Sequence, residues 1–319
     1  MSNNVTVGID VSKKKFDVAL LSQSKFKHKK FSNDNVGFKS LVEWLEQLDA
    51  LSAHICMEAT GVYGEALSEY LYEADCKVSV VNPARVKGFA QSELLRSKTD
   101  RIDAGLIARF CHAMQPPVWT PQPREIRELR DLVRRLEALQ GMHQQERNRL
   151  ETASEIVATQ LLRHIDYLIA EIREIKRLIN QHIDNHPDLR NRKRLLESIP
   201  GIGEATISVI LAEFGDVTQF KNAKALAAFM GVAPRIRQSG SSLRPRGMMS
   251  KTGRSKLRKA FFMPALVALR HNSVIREMKV RLAKAGKSKM AIVGAAMRKL
   301  VHLIYGVLKS GLPFNEKLA

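Results

Sequence analysis

The sequence VTVGIDVSKKKFDVALLS, residues 5–22, predicts the fold of the N-terminal part of the chain. VTVGIDVS (5–12) has the composition of a buried strand, and FDVALLS (16–22) that of a second strand. SQSK (22–25) is a turn signal, and KHKKFSN (27–33) follows it as a third strand. Three consecutive strands are therefore predicted at the start of the chain.

Helices and strands alternate from there to residue 118. Residues 35–48 have apolar side chains at helical spacing, and 65–74 and 98–114 are also predicted helices. AHICMEA (53–59) and KVSVVNP (77–83) are predicted strands, and we expect Pro83 to end the second. This order is typical of a mixed sheet flanked by helices, so we predict an α/β domain over residues 1–118.

The remaining chain is predicted to be helical. PPVWTPQP, residues 116–123, reads as a linker. Residues 124–185 contain no proline and carry apolar side chains at steps of three and four, which predicts a helical hairpin or coiled coil. We therefore predict a linker and helical hairpin over residues 119–190 and a mainly α domain over residues 191–319.

Charge is concentrated in the last of these regions. The chain has 319 residues and a net charge of +20, and residues 191–319 hold 25 Lys and Arg against 6 Asp and Glu. A basic domain joined to neutral ones favours a polyanion partner, with nucleic acid ahead of an anionic membrane. We find no apolar run of the roughly 20 residues that a membrane span needs. With no secretory signal and no Cys-x-x-Cys spacing, we expect a cytoplasmic protein with reduced cysteines and no membrane partner.

Four carboxylates stand at positions where sites assemble. Asp10 ends the first predicted strand and Glu58 the fourth, while Asp100 and Asp103 are three apart at the start of a predicted helix. Converging carboxylates repel one another unless a cation lies between them, and oxygen ligands suit Mg²⁺ or Mn²⁺. The alternative is structural, because acidic residues are also common in turns and in the first turn of a helix.

The segment LLESIPGIGEATISVILAEFG, residues 195–215, has a glycine turn between two predicted helices. Gly201 and Gly203 would let backbone N–H groups approach a phosphate next to a helix N-terminus. This pattern matches a helix-hairpin-helix that binds the DNA backbone. The alternative is a tight helical hairpin that binds nothing.

The segment PRIRQSGSSLRPRG, residues 234–247, places serines among arginines. It could be a solvated basic turn, or it could present a hydroxyl to a phosphodiester. The cations that follow would contact the nucleic-acid backbone. The predicted contacts are Arg235, Arg237, Arg244, Arg246, Lys251, Arg254, Lys256 and Arg258.

The segments GIDVSKKKFDVAL, HICMEATGVYGEALSEYLYEADCKVSVVNPARVKGFAQSE and RSKTDRIDAGLIARFC resemble the DEDD insertion-sequence transposases of the IS-one-ten type. These are related to the pilin-gene inverting recombinases and are also called bridge-RNA-guided recombinases. The resemblance extends over essentially the whole chain. It implies a RuvC-like, RNase H-type N-terminal domain and an acidic tetrad of Asp10, Glu58, Asp100 and Asp103 that binds Mg²⁺.

The C-terminal segment FKNAKALAAFMGVAPRIRQSGSSLRPRGMMSKTGRSKLRKAFFMPALVALR resembles the same family. The resemblance implies a nucleophilic serine that maps to Ser239, with Ser241 and Ser242 as runners-up. It also implies a structured non-coding guide RNA and double-stranded donor and target DNA. We expect a nucleoid-associated protein of the bacterial cytoplasm. Our hypothesis is that the acidic cluster and the serine act on the same phosphorus.

The preferred interpretation is therefore a site-specific recombinase or transposase, active as a homodimer or homotetramer. One alternative is a RuvC-like structure-specific endonuclease that uses water as its nucleophile and leaves free nicks. A second alternative is a nucleic-acid-binding architectural protein, which would bind in a salt-sensitive manner without strand chemistry.

Overall fold

The computed structural model describes residues 5–59, 61–93, 100–235, 248–250 and 252–318, without the side chains of residues 62, 100–102 and 318. The chain divides into two compact units, Met1–Pro121 and Gln122–Ala319, which we call unit 1 and unit 2. The division into three regions, with a separate middle segment, stays a prediction.

Unit 1 is built on a mixed sheet, five-stranded over the described residues, with the order β3-β2-β1-β4-β5. The antiparallel strands come first and the parallel strands follow, because β1 pairs antiparallel with β2 and parallel with β4. The strands are β1 (Thr6–Val11), β2 (Lys15–Ser22), β3 (Lys25–Ser32), β4 (His54–Glu58) and β5 (Lys77–Val81). The mixed sheet predicted from the sequence is confirmed.

Helices cover both faces of this sheet. Alternate residues of β1, such as Val7 and Ile9, share one buried cluster with residues of α1 and α2. The opposite face packs against α3 and α4, which bury Val86 and Ile107 with Cys56 of β4. The helices are α1 (Asn35–Glu46), α2 (Val62–Glu73), α3 (Pro83–Ser92) and α4 (Asp100–Met114).

Helix α3 was not predicted from the sequence. Pro83 does follow strand β5, but it also occupies the first turn of α3, where its missing N–H costs nothing. The side chain of Asn82 caps this helix by accepting a hydrogen bond from the Ala84 amide at 2.8 Å. Pro83 therefore both ends a strand and begins a helix.

Unit 2 begins with an antiparallel pair of long helices, α5 (Arg124–Leu150) and α6 (Glu155–Asn185). Near their connection, His164 Nδ1 lies 3.3 Å from Glu146 Oε1. At the other end, His182 Nε2 lies 2.8 Å from the Glu125 carbonyl oxygen. These contacts show that α5 and α6 lie side by side in opposite directions, while a coiled coil stays a prediction.

The rest of unit 2 is mainly helical, and its helices share one apolar core with the base of the α5–α6 hairpin. The short strands β6 (Pro234–Arg235) and β7 (Met248–Met249) pair with each other. The helices are α7 (Pro187–Glu197), α8 (Glu204–Phe214), α9 (Ala223–Phe229), α10 (Ser255–Ala260), α11 (Phe262–His271), α12 (Ser273–Lys284) and α13 (Lys289–Ser310).

Helix α13 is long and apolar enough to cross a membrane by length and composition, whereas the sequence analysis found no such segment. Many of its apolar side chains, including Ile292, Leu300 and Ile304, are buried in the core of unit 2. This burial is what the core helix of a globular domain requires.

Candidate active site

Asp10 and Glu58 lie next to each other at one edge of the sheet. Ile9 of β1 pairs with Met57 of β4 in parallel register, so the next residues along the two strands are Asp10 and Glu58. Both carboxylate residues are partly exposed, unlike the buried residues that precede them. The carboxyl ends of these neighbouring parallel strands thus carry two acidic residues side by side, and their role as site residues stays a prediction.

Helix α4 packs on the face of β1 that carries Asp10. Thr6 Oγ1 donates a hydrogen bond to the Ala108 carbonyl oxygen at 3.1 Å. A Cβ added to Gly8 would lie 2.2 Å from the Ala104 carbonyl oxygen and 2.3 Å from the Ala108 nitrogen. Because side chains alternate along a strand, Thr6, Gly8 and Asp10 all face this helix.

The direction of α4 brings its N-terminal end toward the edge that carries Asp10. Ala108 contacts Thr6, and Ala104, one helical turn earlier, contacts Gly8, which is nearer the carboxyl end of β1. Asp103 directly precedes Ala104, and Asp100 is the first residue of the helix. The N-terminal end of α4, which carries Asp100 and Asp103, is therefore directed toward the edge of the sheet where Asp10 and Glu58 stand.

Two further charged residues on this face were missed by the sequence analysis. Asp17 of β2 pairs directly with Asp10, and Lys30 of β3 pairs directly with Asp17. The side chain of Asp17 is only 8% exposed, and Lys30 Nζ lies 3.2 Å from its Oδ1. An aspartate within the apolar run FDVALLS was the available signal, but its neighbours could be identified only once the strand register was known.

Among the described residues, no group of three or more His, Cys, Asp or Glu is arranged to hold a metal ion, and the side chain of Asp100 lies outside that description. The predicted ligands are all carboxylates, and such an oxygen-only set fits Mg²⁺ or Mn²⁺ better than softer metals. The four-carboxylate metal site stays a prediction.

The predicted serine nucleophile falls outside the described residues. The same is true of most of the cations around it. The residues in question are Ser239, Ser241, Ser242, Arg237, Arg244, Arg246 and Lys251.

The predicted serine loop, residues 236–247, is flanked by the short strands β6 and β7, which pair with each other. Arg235 of β6 pairs with Met248 of β7, and the Ser250 amide donates to the Ala233 carbonyl oxygen at 2.8 Å. Arg235 is exposed. Arg235 and Met248 thus lie next to each other on unit 2.

Two of the predicted DNA-contacting cations form ion pairs inside unit 2. Arg254 pairs with Glu213, and its guanidinium lies 4.8 Å from the centre of the Phe229 ring. Lys256 Nζ lies 3.0 Å from Glu137 Oε2. These two charges are therefore partly compensated by carboxylates, and their contact with nucleic acid stays a prediction, as does that of Arg258.

The glycine turn of the predicted helix-hairpin-helix connects α7 and α8. Gly201 has a φ of +103°, and an added Cβ would lie 2.7 Å from the Cβ of Ala268 on α11. The glycine at this position is thus required by the backbone conformation and by internal packing. Gly203 has no atom within 4 Å of an added Cβ and precedes α8, whose first residue is Glu204. Two helices joined by a glycine turn are present, and a helix-hairpin-helix that binds DNA stays a prediction.

The amino-acid sequence matches known protein families and known proteins. Residues 7–158 match the DEDD-type IS110 family described as "Transposase", and residues 193–279 match the "Transposase IS116/IS110/IS902 family". The chain is 33% identical over 315 residues to the "Pilin gene-inverting protein" of Moraxella bovis, covering 98% of each chain. It has the same identity and coverage with the protein of that name from Moraxella lacunata.

A more distant relative matches part of the chain. The "Transposase for insertion sequence element IS1328" of Yersinia enterocolitica is 28% identical over 164 residues, which is 50% of this chain and 47% of that protein. The two family matches together include Asp10, Glu58, Asp100, Asp103 and Ser239. Two models of the IS110 family match the chain, and two relatives are 33% identical to it over 98% of its length. The chain therefore belongs to the IS110 family of transposases.

Proposed function

We propose that this chain cuts and rejoins DNA during the movement or inversion of a mobile element, using the acidic cluster of unit 1 and a serine of unit 2. The observation that carries the proposal is that Asp10 and Glu58 stand at the ends of two neighbouring parallel strands, with α4 packed on the face of β1 that carries Asp10. Family membership supports a DNA substrate, and the net charge of +20 supports a polyanion partner.

The four carboxylates Asp10, Glu58, Asp100 and Asp103 would hold Mg²⁺, or Mn²⁺ in its place. When bound, such an ion would supply positive charge that stabilises the transition state of a phosphoryl transfer. Two of the proposed ligands lie on strands β1 and β4, and the other two lie on α4, which packs against β1 at Gly8.

In the proposed reaction, Ser239 Oγ attacks the phosphorus of a DNA phosphodiester. The serine hydroxyl gives up its proton as the Oγ–P bond forms, the bond from phosphorus to the bridging deoxyribose oxygen breaks, and that oxygen takes up a proton and leaves as a hydroxyl. A hydroxyl of a second strand then reverses these steps and releases the serine. Arg235 and the loop arginines would neutralise charge on the phosphate. Ser241 and Ser242 are the alternatives to Ser239.

A structured guide RNA and a second copy of the chain complete the proposal. The guide RNA rests on the family resemblance. A homodimer or homotetramer is supported by apolar side chains that α6 leaves exposed. Ile156, Tyr167 and Leu162 are 87%, 57% and 49% exposed, respectively. Burying such side chains between copies of the chain would stabilise an oligomer.

The proposal is tested in bacterial cells that carry the gene together with its flanking DNA on a plasmid. We expect excision or inversion of the flanked segment with the wild-type protein, and none with Asp10→Asn or Ser239→Ala at equal protein levels. Rearrangement that persists in both variants would overturn the proposal. Nicks without rejoined products would instead support the hydrolytic endonuclease.

A further inference from the structure

We propose that Lys30, held in place by the buried carboxylate of Asp17, binds a backbone phosphate of the DNA strand that lies across the acidic edge of unit 1. This inference rests on the proposed function, because it takes the edge formed by Asp10 and Glu58 as the place of strand chemistry. It adds a phosphate-binding position outside the acidic cluster and the serine loop.

Charged residues form a row across the sheet. Lys30, Asp17 and Asp10 are direct cross-strand partners on β3, β2 and β1, so their side chains lie on the same face. This face is the one covered further along by α4, as the contact of Thr6 with Ala108 shows. Glu58 continues the row on β4.

Asp17 and Lys30 form an ion pair within this row. A carboxylate that is only 8% exposed is costly to bury without a partner, and Lys30 Nζ at 3.2 Å provides one. Lys15 Nζ lies farther away, at 3.9 Å. The side chain of Lys30 is 61% exposed, so its ammonium group also faces solvent. An ammonium has three donors, so Lys30 can bind Asp17 and a phosphate oxygen at the same time.

The distance between Lys30 and Asp10 follows from the spacing of the strands. Neighbouring strands are about 4.8 Å apart, so the backbone at Lys30 is roughly 10 Å from that at Asp10, two strands away. A DNA strand with its reacting phosphate between Asp10 and Glu58 can therefore reach Lys30 with a nearby phosphate. Because Asp17 restrains the lysine before DNA arrives, less side-chain entropy is lost on binding.

A matched control lies on the same strand. Lys27 of β3 pairs with Leu20 of β2, and Leu20 belongs to the buried cluster on the α1 and α2 side of the sheet. Lys27 is therefore exposed on the opposite face from Lys30. Changing either lysine to glutamine removes one positive charge from β3, and only Lys30→Gln removes it from the acidic face.

The experiment measures DNA binding with cleavage blocked by EDTA. The full chain, with RNA transcribed from the gene's flank, is titrated with duplexes of flanking DNA in which one phosphate at a time is a neutral methylphosphonate. With wild-type protein and Lys27→Gln, we expect neutralisation of one or two adjacent phosphates to weaken binding several-fold. With Lys30→Gln, we expect this loss to disappear and the slope of log K against log salt to become shallower by about 1.

Asp17→Asn separates positioning from charge. This variant makes the protein more positive by one charge, so a general electrostatic effect would strengthen binding. If Asp17 positions Lys30, neutralising the same phosphates should weaken DNA binding less in Asp17→Asn than in the wild type, even though the net charge has risen. An unchanged methylphosphonate profile in Lys30→Gln, or an identical change in Lys27→Gln, overturns the inference. Since no strand is cut, a failure of the proposed chemistry would leave this result readable.

Discussion

Gly8 of β1 lies against the backbone of Ala104 on α4, and a Cβ at Gly8 would come within 2.2 Å of the Ala104 carbonyl oxygen. We therefore expect Gly8→Ala to push α4 away from the sheet and to lower the free energy of unfolding of unit 1 by about 3 kcal/mol. Both tryptophans of the chain, Trp44 and Trp119, belong to unit 1, so urea unfolding followed by tryptophan fluorescence reports on this unit.

Gly88→Ala is the control for that prediction. Gly88 lies within helix α3, and an added Cβ would meet no atom within 4 Å. Alanine should raise the free energy of unfolding by up to about 1 kcal/mol there, because it favours the helix. Equal effects of the two substitutions would contradict the close packing of α4 on β1.

The carboxylates of the acidic edge should be required for strand chemistry and not for folding. We expect Asp10→Asn and Glu58→Gln each to slow DNA strand cleavage by at least about 100-fold, the scale of losing one electrostatic contact with a transition state. Removal of divalent cations with EDTA should have a similar effect. Cleavage rates on flanking DNA check this.

Glu43→Gln is the matched change on the opposite side of the sheet. Glu43 lies on α1, where its carboxylate is 53% exposed and lies 3.9 Å from Lys39 Nζ. Its loss should leave the cleavage rate within about two-fold of wild type, since exposed pairs of this kind contribute little. A similar loss of rate in Glu43→Gln would argue for a general charge effect.

The two glycines of the α7–α8 turn should differ in their cost. Gly201→Ala combines a strained φ with a clash against Ala268, and we expect it to lower the free energy of unfolding of unit 2 by about 3 kcal/mol. Gly203→Ala meets no neighbour and should cost less than about 1 kcal/mol. Urea unfolding followed by helical circular dichroism distinguishes them, and comparable costs would show that α11 does not constrain the turn.

His302 should make unit 2 less stable in mild acid. Partial burial, followed by the charges of Arg298, Lys299 and Lys224, holds the pKa of His302 below its ordinary value of 6.5. The unfolded chain then binds a proton more readily, so the contribution of this residue is present above pH 6.5 and is lost as the pH falls toward the folded pKa. We expect His302→Gln to reduce the loss of urea resistance between pH 7 and pH 5.5, and parallel pH profiles would contradict this.

Much of unit 1 could be predicted because its signals are local. The strands around Asp10 and Glu58 are apolar runs with clear ends, and strand ends in parallel register meet at one edge. Helix α3 was missed because Pro83 is compatible both with the end of a strand and with the start of a helix.

The rest depended on contacts between residues distant in sequence. The Asp17–Lys30 pair exists because β2 and β3 pair in one register, and a shift of one residue would place these side chains on opposite faces. At position 201, the packing part of the requirement for glycine comes from α11, more than sixty residues later. A glycine turn in a sequence looks the same whether it approaches a phosphate or a helix.

The proposed serine chemistry is tested by identifying the atom of the protein that becomes joined to DNA. The chain, RNA and DNA from the gene's flank are incubated with Mg²⁺, denatured and digested, and the DNA-linked peptide is identified by mass spectrometry. We expect a phosphoserine link within residues 239–242, at Ser239, which is absent in Ser239→Ala and absent in Asp10→Asn. Cleaved DNA that carries no protein, or a link that forms unchanged in both variants, would contradict the account.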